Sequence, residues 1–199
     1  MAMVVGVTGK CCVGKDTAAG FLAEQGWQVI DVDKTGHRAL QEERVALEAA
    51  FGNGVFHPDG QVNRQALGEI VFSSSAKLRT LEAIVHPRMR EIVQQSSTYY
   101  TSRDVNVCIN AALLFPMDLH TLCDYVVVVK SPLSLRIKRA RARNGWSCSQ
   151  IFKRFWSQRR LFPKKKTKSV DMYNVWNSES IGALQQKMME FLTMIERQG

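Results

Sequence analysis

The fold of this chain is decided near its N-terminus by the stretch VGVTGKCCVGKDT, residues 5–17. An apolar, β-branched run over residues 3–8 predicts a strand, and the helical pattern from about Lys15 to Gln25 predicts a helix directly after it. Between them, Gly9, Gly14 and Lys15 have the spacing of a phosphate-binding loop. Such a loop turns successive backbone N–H groups toward a phosphate, and the helix N-terminus adds its positive dipole. The stretch therefore predicts nucleotide binding, and a glycine-containing turn that merely resembles the motif is the alternative.

The residues of this loop have distinct expected parts in binding a nucleotide. Lys15 is expected to contact the β and γ phosphates. The predicted nucleotide contacts are Gly9, Cys12, Val13, Gly14, Lys15, Asp16 and Thr17. Asp16 stands where the pattern has a Ser or Thr hydroxyl that ligates magnesium, and a carboxylate can ligate magnesium too. We therefore predict magnesium ligation by Asp16, with Thr17 sharing the role, in a site where added negative charge alters metal geometry and nucleotide affinity.

Two adjacent cysteines, Cys11 and Cys12, lie inside the loop. The positive end of the following helix favours a thiolate, which is the form that oxidants attack. Two interpretations stand: these are oxidisable thiols, or they are buried and inert. The chain has five cysteines, an odd number without metal-ligand spacing, so reduced thiols fit best.

The rest of the chain alternates strands and helices. Strands are predicted at residues 28–31, 105–110 and 125–129, with a weaker one at 173–176, and helices at 133–143, 147–160 and 181–196. Continuous apolar runs of strand length are typical of parallel strands that are covered on both faces. The prediction is an α/β fold, a P-loop NTPase-type doubly wound parallel sheet of about five strands.

A long, mainly helical stretch separates the second predicted strand from the third. We interpret it as an inserted helical subdomain, in which a helix over residues 75–100 contains His86 and Pro87 and is expected to kink or break there. The expected division is one kinase domain with a core (about 1–33, 104–135 and 165–199), an acceptor-binding insertion (about 34–103) and a helical lid (about 136–164).

Two acids, Asp31 and Asp33, close the second predicted strand. In a doubly wound sheet such acids lie at the carboxyl edge, beside the phosphate loop. One acid can accept the proton of an acceptor hydroxyl while the other supports the magnesium shell. Because strand side chains alternate, the two are expected to point the same way and share a site. Capping of the next helix is the alternative role.

The composition favours a globular protein with a polyanionic ligand. With 199 residues, of which 45% are hydrophobic, the chain can fill the core of one compact domain. A net charge of +9 favours a nucleotide, a phosphorylated cofactor or a nucleic acid as partner. No apolar run reaches the roughly 18 residues of a membrane span, and no signal-peptide pattern opens the chain. We expect a cytoplasmic protein without a membrane partner, and a monomer is favoured.

Basic residues crowd one third of the chain, from Arg136 to Lys168. In phosphoryl transfer, Arg residues on a mobile segment over the phosphates stabilise charge, and Arg143 is the first choice for that part. Further candidates are Arg136, Arg139, Arg159 and Arg160. A solvated surface is the alternative for these arginines and for the run Lys164, Lys165, Lys166 and Lys168.

The same basic segment suggests a function from another class, nucleic-acid binding. Its aromatic residues could then act as stacking platforms: Trp146, Phe152, Phe155, Trp156 and Phe162. Four of them fall largely at helical spacing, which usually indicates packing, and this function leaves the phosphate loop and Asp33 unused. We therefore expect no nucleic-acid partner.

With these motifs together, the chain resembles the dephospho-CoA kinase family over nearly its whole length. Residues 5–17 resemble the family's first strand and phosphate loop, and residues 29–33 (VIDVD) resemble its signature strand ending in two acids. Further similar positions are Asn63, Arg64 and Leu67, the pair His86 and Pro87, the lid residues Arg143, Asn144, Gly145, Ser147 and Gln158, and Asp171 and Asn177. The chain departs from the family pattern at Lys10, Cys12 and Asp16 and in the stretch 112–116, which lacks the usual Pro and Glu.

The resemblance implies an activity that the residues alone do not. It implies ATP-dependent, magnesium-assisted phosphorylation of the ribose 3′-hydroxyl of dephospho-CoA, giving CoA and ADP in the last step of coenzyme A biosynthesis. Asp33 would be the general base, with Lys15 and Arg143 as the other catalytic residues. Arg64 and His86 would join Asp33 in binding the acceptor, Asn177 would contact ATP, and Asp31 would join Asp16 and Thr17 at the metal. A nucleoside or nucleotide kinase, or a nucleotide-binding regulator without turnover, is the alternative.

Overall fold

The computed structural model describes residues 1–144, 146–147, 150–151, 155, 158, 161–162 and 170–197. Several predictions from the sequence fall on other residues. The helix expected over 147–160 lies largely outside the described residues, as do Arg159, Arg160, Phe152, Trp156 and the lysine run from Lys164 to Lys168.

The described residues form a five-stranded parallel sheet with the strand order β2-β3-β1-β4-β5. The strands are β1 (Val4–Gly9), β2 (Gln28–Asp31), β3 (Val107–Asn110), β4 (Tyr125–Lys130) and β5 (Asp171–Trp176). The first strand occupies the middle position, where Val7 pairs with Asn110 on one side and Gly9 pairs with Val129 on the other. The predicted doubly wound α/β architecture is therefore confirmed, and the phosphate loop begins at the end of the central strand.

Helices connect these strands in the order that the sequence patterns predict. They are α1 (Lys15–Glu24), α2 (Val32–Glu42), α3 (Arg44–Phe51), α4 (Arg64–Phe72), α5 (Ser75–Thr101), α6 (Leu133–Asn144) and α7 (Ile181–Glu196), with short 3-10 turns at Asn53–Val55 and Leu119–Leu122. The first and last of them, α1 and α7, pack on one face of the sheet. The buried cluster there joins Val7 of β1, Val127 of β4, Leu22 of α1 and Met188 of α7. This packing holds the start of α1 against the end of β1.

Two compact units divide the chain. One contains Met1–Ile30 and residues 97–199, and the other contains Asp31–Ser96. The second unit has its own small core, in which Val55, Leu67 and Val71 are almost fully buried. The part of this unit in acceptor binding stays a prediction.

Two local expectations are corrected by the structure. Helix α5 is continuous through Pro87, so the expected break does not occur, and the buried side chains Val85 and Met89 on either side of the proline hold the helix where one backbone hydrogen bond is lost. The expected kink stays a prediction. Strand β2 ends at Asp31, and Val32 already begins α2, so Asp33 is a helical residue. Strand alternation therefore does not relate the side chains of Asp31 and Asp33, and the prediction made from it is wrong.

Among the described residues, no helix combines the length and the apolar composition that crossing a membrane requires.

Candidate active site

The backbone between β1 and α1 has the conformation that a phosphate-binding loop requires. Gly14 precedes α1 with φ of 96°, and Cys12 also has a positive φ, of 62°. A Cβ atom on Gly14 would collide with the side-chain amide of Asn177, and one on Gly9 would lie 2.7 Å from the Val129 carbonyl oxygen. The two glycines of the motif are thus needed for the left-handed turn and for close backbone approach.

Four side chains form a polar cluster at the end of this loop. Lys15 Nζ donates to Asp16 Oδ1 at 2.9 Å and also to the side-chain oxygen of Asn110, the last residue of β3. Asn110 Nδ2 in turn donates to Asp16 Oδ1 at 3.2 Å. Arg143 Nη1 lies 3.8 Å from Asp16 Oδ2. The structure therefore brings together Lys15, Asp16 and Arg143, which the sequence predicted as functional, and adds Asn110.

The charges of this cluster keep Asp16 ionised. Burial raises the pKa of the Asp16 carboxyl, but the hydrogen bond and the charge of Lys15, with smaller contributions from Asn110 and Arg143, outweigh it. The pKa of Asp16 therefore lies below its ordinary value. An ionised oxygen ligand that is still 61% exposed is suited to a hard cation with water in its shell.

Two residues from distant elements brace the back of the loop. Asn177 follows β5, is almost fully buried, and donates from Nδ2 to the Val13 carbonyl oxygen at 2.8 Å. Arg139 of α6 donates from Nη2 to Asn177 Oδ1 at 3.1 Å and from Nη1 to the Val13 carbonyl oxygen at 3.4 Å. These bonds satisfy the Val13 carbonyl oxygen and tie the loop to α6 and to the end of β5.

Arg136 of α6 and Gln158 contact the loop at Cys11. Arg136 Nε donates to the Cys11 carbonyl oxygen at 2.9 Å, and Gln158 Oε1 accepts from the Cys11 N–H at 2.6 Å. The Arg136 guanidinium also stacks on the Phe155 ring, 4.0 Å from its centroid. Its Nη2 is buried and has no hydrogen-bond partner among the described residues. An unsatisfied buried donor beside the loop fits an anionic ligand, because such a donor is costly to leave without an acceptor.

A cavity of about 550 Å³ adjoins the same loop. Three cationic side chains, Lys10, Lys130 and Arg136, line it together with the aromatic rings of Phe162 and Trp176. Lys130 Nζ lies 6.0 Å from the centroid of the Trp176 ring. Cations and aromatic faces together suit an anionic ligand that carries an aromatic base.

The thiols of the loop differ from those in the sheet. Cys11 Sγ and Cys12 Sγ lie 3.4 Å apart, and both residues are partly exposed. Cys108 and Cys123 are buried, and burial raises the pKa of the Cys108 thiol to about 12 and also raises that of Cys123. The interpretation of Cys11 and Cys12 as buried residues is thereby contradicted, because both reach the surface.

The paired acids lie in the second unit and are held by α2. Asp31 is the N-cap of this helix, and its Oδ1 accepts from the Asp33 N–H at 3.1 Å and from the Lys34 N–H at 3.4 Å. Asp33 occupies the first helical turn, where a negative charge is stabilised by the helix dipole. The alternative role, helix capping, therefore holds for Asp31.

The expected acceptor residues lie on other helices of the same unit. Arg64 begins α4, and its Nη1 lies 2.5 Å from Nε2 of His37 on α2, a residue to which the sequence assigned no part. His86 lies within α5, where burial lowers the pKa of its imidazole against a smaller opposing effect of Glu82. A neutral imidazole at this position can donate or accept a hydrogen bond without adding charge.

A family model for dephospho-CoA kinase matches residues 3–181. The chain belongs to the dephospho-CoA kinase family. Dephospho-CoA kinases are transferases of the final step of coenzyme A biosynthesis, and the chain has this function. Membership also implies that ATP is used.

Several dephospho-CoA kinases are similar to the chain over most of its length. The enzyme of Dehalococcoides mccartyi is 36% identical over 158 residues, which are 78% of this chain and 80% of that protein. The enzyme of Lactobacillus johnsonii is 31% identical over 201 residues, which cover 99% of this chain and all of that one. The dephospho-CoA kinase structure from Campylobacter jejuni has the same fold, with a TM-score of 0.73 at 24% identity, covering 99% of this chain and 98% of that one.

Two residues with contacts to predicted site residues, Asn110 and His37, were not predicted from the sequence. Asn110 had a usable signal, since a polar residue ends an otherwise apolar buried strand at the carboxyl edge of the sheet. Arg139 was among the predicted candidate arginines, although its contacts with Val13 and Asn177 were not foreseen. His37 had no signal at all, because its contact with Arg64 joins residues on different helices.

Proposed function

We propose that the chain transfers the γ-phosphoryl group of ATP to the ribose 3′-hydroxyl of dephospho-CoA. The proposal is supported most directly by the cluster at the end of the loop. There Lys15, the lysine of the phosphate-binding motif, meets Asp16 and Arg143 at the start of α1. Lys15 and Arg143 can stabilise the negative charge of a phosphoryl group during its transfer. Catalysis of this reaction depends mostly on positioning and on such charge stabilisation.

The loop residues bind the nucleotide in this proposal. Its backbone N–H groups and Lys15 take the β and γ phosphates, and Arg143 stabilises the charge that develops on the transferring group. The predicted contacts remain Gly9, Cys12, Val13, Gly14, Lys15, Asp16, Thr17 and Asn177. The structure supports an indirect part for Asn177, since its amide is already engaged with Val13 and Arg139.

Magnesium is held by Asp16 and Thr17, with Asp31 as a third candidate ligand. The ionised and exposed Asp16 carboxylate fits this role best, whereas Asp31 already accepts two bonds at the start of α2. When bound, the ion neutralises the charge that builds up between the β and γ phosphates.

Asp33 accepts the proton of the 3′-hydroxyl, and Arg64 and His86 bind the acceptor. The first-turn position of Asp33 supports this role only in part: the helix dipole stabilises a carboxylate there, and a carboxylate can accept a proton. We also propose that the chain acts in the cytoplasm and is a monomer. Light scattering of the purified protein measures its molar mass and so tests the oligomeric state.

An assay of ADP release tests the reaction. Purified protein is given ATP, magnesium and, in turn, dephospho-CoA, nucleoside monophosphates, nucleosides or water alone. Release that only dephospho-CoA stimulates, with CoA as the product found by mass spectrometry, is the expected result. Stimulation by a nucleoside or nucleotide would show that this compound is the acceptor in place of dephospho-CoA. No release of ADP with any acceptor would favour a regulator that binds ATP without turnover.

A further inference from the structure

The residue that departs most from the phosphate-loop pattern is bonded to the lysine on which the pattern depends. Asp16 Oδ1 accepts from Lys15 Nζ at 2.9 Å and from Asn110 Nδ2 at 3.2 Å. The Lys15 side chain is only 10% exposed, whereas that of Asp16 is 61% exposed. The lysine is therefore engaged by a carboxylate of its own loop at the position where a phosphate oxygen would need it.

A carboxylate here acts against nucleotide binding in two ways. It competes with the phosphates for Lys15, and it repels them, since two negative charges a few ångströms apart interact strongly when partly shielded from water. A Ser or Thr hydroxyl, which the pattern has at this position, does neither. Of the cations near Asp16, Lys15 is needed for the phosphates, and Arg143 is a distant partner at 3.8 Å.

We propose that Asp16 makes nucleotide binding conditional on a divalent cation. This inference rests on the proposed function, in which the loop binds ATP. Without the cation, Asp16 holds Lys15 and excludes the triphosphate. With the cation, Asp16 becomes its ligand through oxygen, gives up Lys15 to the phosphates, and no longer presents a bare negative charge. Asn110 keeps the carboxylate in place during this exchange through its Nδ2 donor.

Two properties follow from this exchange. Because coupling between two ligands is reciprocal, ATP strengthens cation binding by the same factor by which the cation strengthens ATP binding. Metal-free ATP is also a poor competitor of the metal complex. An excess of ATP over magnesium then inhibits less than it would with a hydroxyl at this position.

Equilibrium binding of ATP provides the test, with no need for turnover. The dissociation constant is measured by calorimetry in EDTA and in excess magnesium for the natural chain, Asp16→Asn and Asp16→Ser. Both variants remove the charge and keep a side chain of similar or smaller size. Glu196→Gln, at the end of α7, is the control for loss of one negative charge. Thermal unfolding of each variant shows that it is folded.

In EDTA, both Asp16 variants should bind ATP at least about tenfold more tightly than the natural chain, the scale of one repulsion between partly shielded charges. The dissociation constant in EDTA divided by that in magnesium should fall by a similar factor in both Asp16 variants. Glu196→Gln should change neither the affinity in EDTA nor this ratio. Equal metal-free affinity in the natural chain and both variants would overturn the inference.

The natural chain gives a second readout that no folding defect of a variant can obscure. Its turnover with limiting magnesium is followed as free ATP is raised, and weak inhibition by free ATP is expected. Strong inhibition, with an inhibition constant near the dissociation constant of the metal complex, would contradict the inference. A chain that binds ATP as expected but does not phosphorylate dephospho-CoA would instead overturn the proposed function, so the two failures are distinguishable.

Discussion

Asp33 is the residue on which the proposed chemistry depends most directly. We expect Asp33→Asn to abolish turnover while ATP affinity changes little, because a general base acts in the transition state and hardly on the bound nucleotide. The loss should be about a hundredfold or more in kcat. Steady-state kinetics and calorimetric ATP binding measure the two effects separately.

The matched control is Asp59→Asn, an exposed acid in a turn of the same unit, where Asn is equally tolerated. It should leave both measurements unchanged. Equal loss of turnover and ATP affinity in Asp33→Asn would remove the base role, since that result indicates general damage to the site.

Cys11 and Cys12 predict sensitivity to oxidants. A hydroperoxide oxidises one thiol to a sulfenic acid, and the second thiol, 3.4 Å away, displaces water from it to form a disulfide. Adjacent Cα atoms are about 3.8 Å apart, less than most disulfides span, so a thiol should reduce the product readily. Peroxide should therefore remove most of the turnover, ATP should protect, and dithiothreitol should restore it.

Mass spectrometry of peptides checks this prediction. Loss of two hydrogens should appear on the peptide with Cys11 and Cys12 and be absent in Cys11→Ser and Cys12→Ser. The buried Cys108 and Cys123 are internal controls, because their raised pKa keeps them as thiols at neutral pH. Modification of Cys108 or Cys123 before Cys11 and Cys12 would contradict the prediction. So would a loss of turnover on peroxide treatment that is as large in the serine variants as in the natural chain.

At the scale of elements, the loop between β1 and α1 depends on the end of β5 and on α6. Asn177→Ala removes the donor of the Val13 carbonyl at 2.8 Å, which leaves that oxygen only the longer bond from Arg139 at 3.4 Å, and it removes the acceptor of Arg139 at 3.1 Å. The loss of two such hydrogen bonds costs about 1–3 kcal/mol. We expect the affinity for ATP to fall about tenfold or more.

Calorimetry measures this effect, and Asn53→Ala, at an exposed asparagine of the second unit, is the control. The melting temperature should fall only modestly in Asn177→Ala. Unchanged ATP affinity in that variant would show that the brace is dispensable and that the loop holds its conformation alone.

The boundary between β2 and α2 shows how far local patterns reach at this scale. The strand bounds Gln28–Asp31 were predicted correctly, because an apolar run of strand length ends there. The helix after it was not predicted to begin at once, since an Asp-Val-Asp sequence suits a strand end as well as a helix start. The Asp31 side chain decides the outcome by capping two N–H groups of α2.

At the scale of the whole molecule, two units with separate cores predict separable defects. Leu67 is buried in the core of the Asp31–Ser96 unit, and Leu22 is buried under the sheet of the other unit. Either change to Ala should cost about 2–5 kcal/mol of unfolding free energy. We expect Leu67→Ala to raise KM for dephospho-CoA and to leave ATP affinity intact.

Leu22→Ala is the matched change in α1 and should weaken ATP binding. Hydrogen exchange followed by mass spectrometry should place faster exchange in residues 31–96 for Leu67→Ala and in the remainder for Leu22→Ala. Equal loss of ATP affinity in both variants would show that the units do not behave separately.

The sequence by itself determined the fold class, the loop and the family. Glycine spacing, apolar runs and helical periodicity are local properties, so residues 5–17 predicted the strand, loop and helix that the structure contains. Only the tertiary structure decided which distant side chains meet the loop: Asn110, Arg136, Arg139, Gln158 and Asn177. They meet because strand register and helix packing bring residues 95 to 164 positions apart into hydrogen-bond distance, and no local pattern encodes that register. In the second unit, the burial of Val85 and Met89 likewise keeps α5 continuous through Pro87, where local propensity allows a break.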